Sequence, residues 1–446
     1  MDLSKILKIR SHLRIRGSNL FIRNISLKKL SEEYGTPLYV IDAERIIDKY
    51  KEIYNSLSKH FKEFNIAYSY KANHSLSVVN LLSKLEAGAT VTSYLGMELA
   101  LSSGVSPSNV VLVGPSKTKE ELRYAIQNNI GLTVVESYEE LLSVDSIANE
   151  LGLVANVGIR VNLNIKSNTH KKIATGLLTH KFGVNVNELH LLLKKCKKLN
   201  NVNLVALHSH IGSQILDLNP LKRQAIELTK LYIKSIENYN LKLNTLDFGG
   251  GVGVPYLIRK SYITYEDYAK VISTEMKALL KNKNLEEPKI IVEPGRYIVA
   301  DSSILLTKVS YVKKLGNKKW LLVDAGMNDF MRVALYDAYH EILPVEKLDR
   351  KFVEKYNIGG PVCESSDVFA FNRMLPSMKS GELLAMLDVG AYGLSMANNY
   401  NIRSIPKTVM VWKDKVEVAR EKESLEDIVK KEKVPNFIKE LQLVSP

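Results

Sequence analysis

Between about residue 37 and residue 297 the chain alternates short apolar runs with amphipathic stretches, and this alternation restricts the fold more than any other feature. The apolar runs are Pro37–Ile41, Asn65–Tyr70, Val110–Val113, Leu132–Val135, Asn156–Val161, Val205–His208, Thr245–Phe248 and Lys289–Val292. Each is four to six residues long, the length of a strand buried on both faces rather than of a helix. Helical patterns lie between most of them, as in Asp42–Phe61, Ser75–Lys84, Asn219–Tyr239 and Tyr265–Lys281. Parallel strands need such crossovers, and repeated strand–helix units over about 250 residues predict an α/β fold built on a (β/α)₈ barrel, spanning residues 37–296. A barrel of this kind carries its active site on the loops that follow the strands.

Beyond residue 297 the texture changes. Ser303–Leu315, Lys319–Val323, Leu383–Asp388 and Lys407–Trp412 read as strands with no regular helix between each pair, so residues 297–446 are expected to form a second, mainly β domain. The segment Leu3–Ser31 has no acidic residue and carries Arg10, Arg14, Arg16 and Arg23, a pattern seen in organelle transit peptides. Its stretch Asn19–Leu27 nevertheless alternates like a strand, which assigns residues 1–36 to the β domain.

Composition excludes several classes. The apolar runs are far too short to span a bilayer. The net charge of +14 comes from lysines interleaved with glutamates, as in Glu421–Lys433. That is the pattern of solvated faces rather than of a nucleic-acid surface. Cys196 and Cys363 are the chain's two cysteines, too few for a disulfide framework and without metal-binding spacing, so a cytoplasmic setting is expected.

Four motifs follow apolar strands. Tyr68–Asn73 (YSYKAN) places Lys71 at the barrel mouth, where partial desolvation favours the free amine that forms an imine. Leu207–Gln214 (LHSHIGSQ) offers His208 and His210, which two residues apart on a strand point the same way. They could bind a metal or stack on an aromatic cofactor; no third ligand stands nearby in sequence. The Gly212–Ser213 pair suits a phosphate. Leu246–Gly253 (LDFGGGVG) runs a strand into glycines that let backbone N–H groups approach a phosphate. It lacks the spacing of a dinucleotide loop, so a mononucleotide-sized phosphate fits better. Val292–Arg296 (VEPGR) fixes one anion, Glu293, and one cation, Arg296, across a Pro–Gly turn; a carboxylate there can keep a pyridine nitrogen protonated.

The β domain contributes three more. Arg332 and Tyr336 share a face if their segment is helical, and an arginine fork with a phenol suits a substrate carboxylate. Gly359–Asp367 holds Cys363 beside Glu364, and Tyr392 follows a strand in GAYG.

Taken in order, SYKAN, THKFGV, HSHIGSQ, GGGVG, EPGR, DAGMNDFMRVALYDAYHEI, GPVCESSD and GAYG resemble the diaminopimelate decarboxylase family. This family belongs to the fold-type III pyridoxal-phosphate enzymes, with alanine racemase and ornithine decarboxylase. The resemblance runs from about Tyr34 to about Asn401. It implies that Lys71 carries pyridoxal 5'-phosphate as an imine and that His210, rather than His208, stacks on the ring. Ser213, Gly250, Gly251, Gly253, Gly295 and Arg296 are implied to hold the phosphate, and Glu293 to face the pyridine nitrogen. Tyr392 is implied at both cofactor and substrate, with Arg296, Arg332, Tyr336 and Glu364 at the substrate. Cys363 is implied to act as proton donor from the other subunit of a homodimer. The implied reaction converts meso-2,6-diaminoheptanedioate to L-lysine and CO₂, the last step of lysine biosynthesis. Where the family often has Gly-Ala-Asp, this chain has Gly88-Ala89-Thr90. A related decarboxylase of ornithine, arginine or carboxynorspermidine, or a non-catalytic homologue, is the alternative.

Overall fold

The computed structural model describes residues 3–166, 181–257 and 262–441. The N-terminal helix Leu3–Ile9 precedes a small antiparallel sheet of β1 (Leu13–Arg16), β2 (Asn19–Ile22) and β3 (Ile25–Ser26). The strand-like stretch Asn19–Leu27 is therefore two strands, turned at Arg23, whose φ is 55°. This sheet does not extend the larger one. It joins it by packing, with Ile6, Leu20 and Leu27 in one apolar cluster with Leu38, Ile304 and Leu343.

Strand β4 (Leu38–Asp42) corrects the expected boundary. It is not the first barrel strand: it pairs antiparallel with Ser303–Leu315 and parallel with Lys407–Trp412, in the centre of the β domain's sheet. All five of its residues are buried, so its composition matches that of a barrel strand although its partners differ. The chain crosses to the barrel through the helix Ala43–Ser58, capped by Asp42, whose carboxylate accepts from Arg45 N–H.

The barrel is closed and parallel. Its strands are β5 (Phe64–Ser69), β6 (Gly88–Val91), β7 (Val110–Leu112), β8 (Leu132–Val135), β9 (Ala155–Arg160), β10 (Val202–His208), β11 (Thr245–Asp247) and β12 (Lys289–Val292). Strand β6 was not among the expected eight and takes the place assigned to Pro37–Ile41. Ala67, Val111, Val113, Leu132, Val134, Ala206 and Ile291 fill the barrel's interior as a separate apolar cluster, so it is a packed core. Thr90, where the family often has aspartate, is buried in β6 and donates to the carbonyl of Ala67 at 3.2 Å.

Candidate active site

The loops after β5, β10, β11 and β12 converge on one cleft at the C-terminal end of the barrel, with a volume of about 350 Å³. Lys71, His210, Ser213, Gly250, Gly251, Glu293, Gly295 and Arg296 line it, joined by Tyr336 and Tyr392 from the β domain. The two domains are tied at this point. Tyr392 N–H donates to the carbonyl of Ala72 at 2.7 Å, and Asn73 Nδ2 donates to the carbonyl of Gly390 at 3.0 Å.

Glycines make the cradle possible. A Cβ on Gly250 would meet the carbonyl oxygen of Glu293 at 2.3 Å, and one on Gly251, whose φ is +122°, would meet the carbonyl of Gly212 at 2.5 Å. Gly253 does not line the cleft; it packs against Gln214 and Leu216. Its expected phosphate contact is thus replaced by a packing role.

The two histidines part company. Strand β10 ends at His208, which stays buried, while His210 lies in the following loop and lines the cleft. The two-residue alternation of a strand therefore does not carry across. His210 Nδ1 accepts from Gly250 N–H at 3.2 Å. Burial, with help from Lys71, pushes its proton affinity well below the usual imidazole range, which keeps the ring neutral. His208 Nε2 stands 3.7 Å from Glu293 Oε2. The ligand atoms of His208, Asp247 and Glu293 all lie within 4.8 Å of one another, a grouping of strand ends far apart in sequence that the motifs alone do not reveal.

The two carboxylates of this group are driven apart. Burial and the neighbouring Glu293 push Asp247 well above the usual carboxyl range. Burial acts on Glu293 too, but His208, Lys71 and Arg160 outweigh it and hold it below its ordinary value. Asp247 keeps the proton and Glu293 the charge. Lys71, by contrast, is exposed to the cleft.

Arg332 and Tyr336 begin and end one short helix, the condition on which their spacing puts them on one face. Tyr336 reaches the cleft, whereas Arg332 is buried over the ring of Tyr256, 4.7 Å from its centroid. Tyr256 was not singled out in the sequence, and neither were Ser69, Tyr265 and Tyr297, which line the cleft. Cys363 and Glu364 are not brought to the cleft of their own chain. Cys363 is exposed, its N–H donating to Asn401 at 2.9 Å, and Glu364 accepts from the Tyr400 hydroxyl at 3.2 Å. In THKFGV, Phe182 lines the cleft, while Thr179 and His180 lie outside the described residues.

A closed barrel with a lysine, a buried carboxylate and a glycine cradle at its mouth defines a class. Residues 44–300 match the family model "Pyridoxal-dependent decarboxylase, pyridoxal binding domain". A diaminopimelate decarboxylase of Methanocaldococcus jannaschii is 40% identical over 431 residues, covering 95% of this chain and 97% of that one. The solved M. jannaschii enzyme in co-complex with L-lysine superposes with a TM-score of 0.90 at 38% identity, over 96% of this chain and 99% of that one. The Helicobacter pylori diaminopimelate decarboxylase complexed with L-lysine gives 0.84 at 38% identity, over 90% and 98%. The chain belongs to the diaminopimelate decarboxylase family of pyridoxal-dependent decarboxylases.

Proposed function

We propose that this protein decarboxylates meso-2,6-diaminoheptanedioate to L-lysine and CO₂, with pyridoxal phosphate held at the barrel mouth. The observation that carries the reading is the convergence of Lys71, His210, Glu293 and Arg296 on one cleft in a chain of this family. Two features fit a phosphorylated pyridine: the glycine cradle at 250 and 251, and the buried Oε1 of Glu293, which has no partner among the described residues.

When bound, the cofactor supplies an electron sink for the pair left on carbon as CO₂ departs. Lys71 would hold it through its amine, ionised Glu293 would keep a proton on the ring nitrogen, and neutral His210 would offer a flat face without a competing charge. Ser213 Oγ, the glycine loop at 250 and 251, and the backbone of Gly295 and Arg296 would hold the phosphate. Tyr336 and Tyr392 shape the substrate side of the cleft.

Substrate choice follows from charge. Arg296 and Arg332 are buried with no carboxylate partner among the described residues. The non-reacting end of ornithine or arginine is a cation, which two arginines repel. The non-reacting end of diaminoheptanedioate carries a carboxylate, which they attract. Cys363 and Glu364 would complete the site from a second copy of the chain, Cys363 as proton donor, in a homodimer with composite sites. With no helix among the described residues long and apolar enough to cross a membrane, and Cys196 and Cys363 both free thiols, we place the enzyme in the cytoplasm.

Release of CO₂ from meso-2,6-diaminoheptanedioate, ornithine, arginine and carboxynorspermidine tests the reading directly. Turnover of the first alone is expected, and loss of it in Lys71→Ala. Faster turnover of any of the other three overturns the substrate, and no CO₂ from any of them points to a non-catalytic homologue.

A further inference from the structure

Two buried cations beside the cleft are held together by one aromatic residue. Arg296 is 6% exposed and Arg332 5%. Arg296 donates through Nη2 to Ser213 Oγ at 3.0 Å and through Nη1 to Tyr256 Oη at 2.8 Å. Arg332 pairs with a neutral imidazole, His340 Nε2, at 2.8 Å and with the Tyr256 side chain, and its buried Nε has no partner among the described residues. Its Cζ stands 4.7 Å over the Tyr256 ring, and the Cζ of Arg296 lies 5.8 Å from the same centroid.

Like charges taken out of water repel, and no carboxylate among the described residues pairs with either. Tyr256 does so in two ways. Its ring presents the negative face of the π quadrupole to Arg332, and its phenol oxygen accepts from Arg296. Tyr256 is itself pinned from behind. Its carbonyl accepts from Arg10 Nη2 at 3.5 Å, and Arg10 Nε donates to Asp388 at 2.8 Å, four residues before Tyr392.

We propose that Tyr256 is a positioning residue that sets specificity: it joins Arg296 and Arg332 into one fork for a carboxylate at the non-reacting end of the substrate. The proposal rests on the substrate reading above. Tyr256→Phe keeps the ring and removes the oxygen; Tyr256→Leu removes both.

The test measures binding of L-lysine and of 1,5-diaminopentane to the pyridoxal-phosphate-loaded enzyme by calorimetry. The two ligands differ by the carboxylate alone, so a merely structural lesion weakens both. Wild type is expected to prefer L-lysine. Tyr256→Phe should weaken L-lysine about tenfold, as for a hydrogen bond to a charged group, and leave the diamine unchanged. Tyr256→Leu should weaken L-lysine further; should it fail to fold, the phenylalanine variant decides alone. A wild-type enzyme without preference for L-lysine removes the substrate reading itself. A preference that survives intact in Tyr256→Phe, or an equal loss for both ligands, overturns the role of Tyr256 and leaves that reading standing.

Discussion

One added methyl group at Gly250 should disable the barrel mouth. A Cβ there meets the carbonyl oxygen of Glu293 at 2.3 Å and the carbonyl carbon at 3.2 Å, both backbone atoms. A carbon approaches a carbonyl oxygen to about 3.3 Å at closest in ordinary contacts, so Gly250→Ala forces the loop and the strand end apart by about 1 Å. Neither side moves alone. Gly250 N–H donates to His210 Nδ1 at 3.2 Å, and Glu293 N–H donates to the carbonyl of Gly249 at 2.8 Å. The shift therefore reaches both the imidazole and the carboxylate assigned to the cofactor ring. A misplacement of about 1 Å costs on the order of 100-fold in rate, and overpacking costs about 1–3 kcal/mol of stability. The expected variant folds, binds pyridoxal phosphate more weakly, and loses about two decades of kcat/KM for CO₂ release. Dialysis followed by cofactor fluorescence and a CO₂ assay measure both. Wild-type kcat/KM with wild-type cofactor affinity would refute the reasoning, because the cradle would then tolerate the side chain it is built to exclude.

Arg332→Ala should raise KM severely, since truncating a buried charge-assisted contact costs roughly 2–5 kcal/mol; an unchanged KM means the distal carboxylate is read elsewhere. Lys71→Ala and Cys363→Ala, unfolded together and refolded in equal amounts, should regain about a quarter of wild-type activity, because half the dimers are mixed and each mixed dimer has one intact site. No recovery after native mass spectrometry confirms exchange places Cys363 in its own chain's site or outside catalysis. Asp301 supplies a pH test: burial pushes its carboxyl up, but Arg45 and Lys49 outweigh that and hold it at about 2 against an ordinary 3.8. A depressed acid stabilises the fold above its unfolded value and loses that contribution as pH falls through the folded one. Asp301→Asn should therefore remove roughly 2 kcal/mol at neutral pH and flatten the acid limb of the unfolding curve between pH of about 4 and 2; an unaltered limb would show that the ion pair with Arg45 does not govern it.

Most of the barrel was legible because parallel strands buried on both faces leave continuous apolar runs, and Leu132–Val135 and Lys289–Val292 appear at the expected bounds. The two errors have different causes. Leu38–Asp42 is buried on both faces like a barrel strand, and only its pairing partners, more than 250 positions away, reveal the other sheet. Gly88–Val91 is a barrel strand that does not look like one. A Cβ at Gly88 would meet the carbonyl of Asn109 at 2.4 Å and the side chain of Asn65 at 2.5 Å. The close approach demands glycine, and the demand for small residues erases the apolar signal that marks the other strands.

The site divides along the same line. Lys71, His210, Ser213, Gly250, Gly251, Glu293 and Arg296 were readable because each stands just past an apolar run, and a barrel gathers every such position at one mouth. Asp247 and His208 were also printed in those motifs, yet their role as the charge-setting neighbours of Glu293 exists only once strands β10, β11 and β12 lie side by side. Tyr256 is harder still. It sits in a loop with no motif of its own, and its meaning comes from three arginines, Arg10, Arg296 and Arg332, that the chain brings in from three separate elements. Cys363 and Glu364 mark the far limit. Their own chain leaves them away from its cleft, so the role proposed for them needs a second copy of the fold, and resemblance was the one route by which the sequence could indicate it.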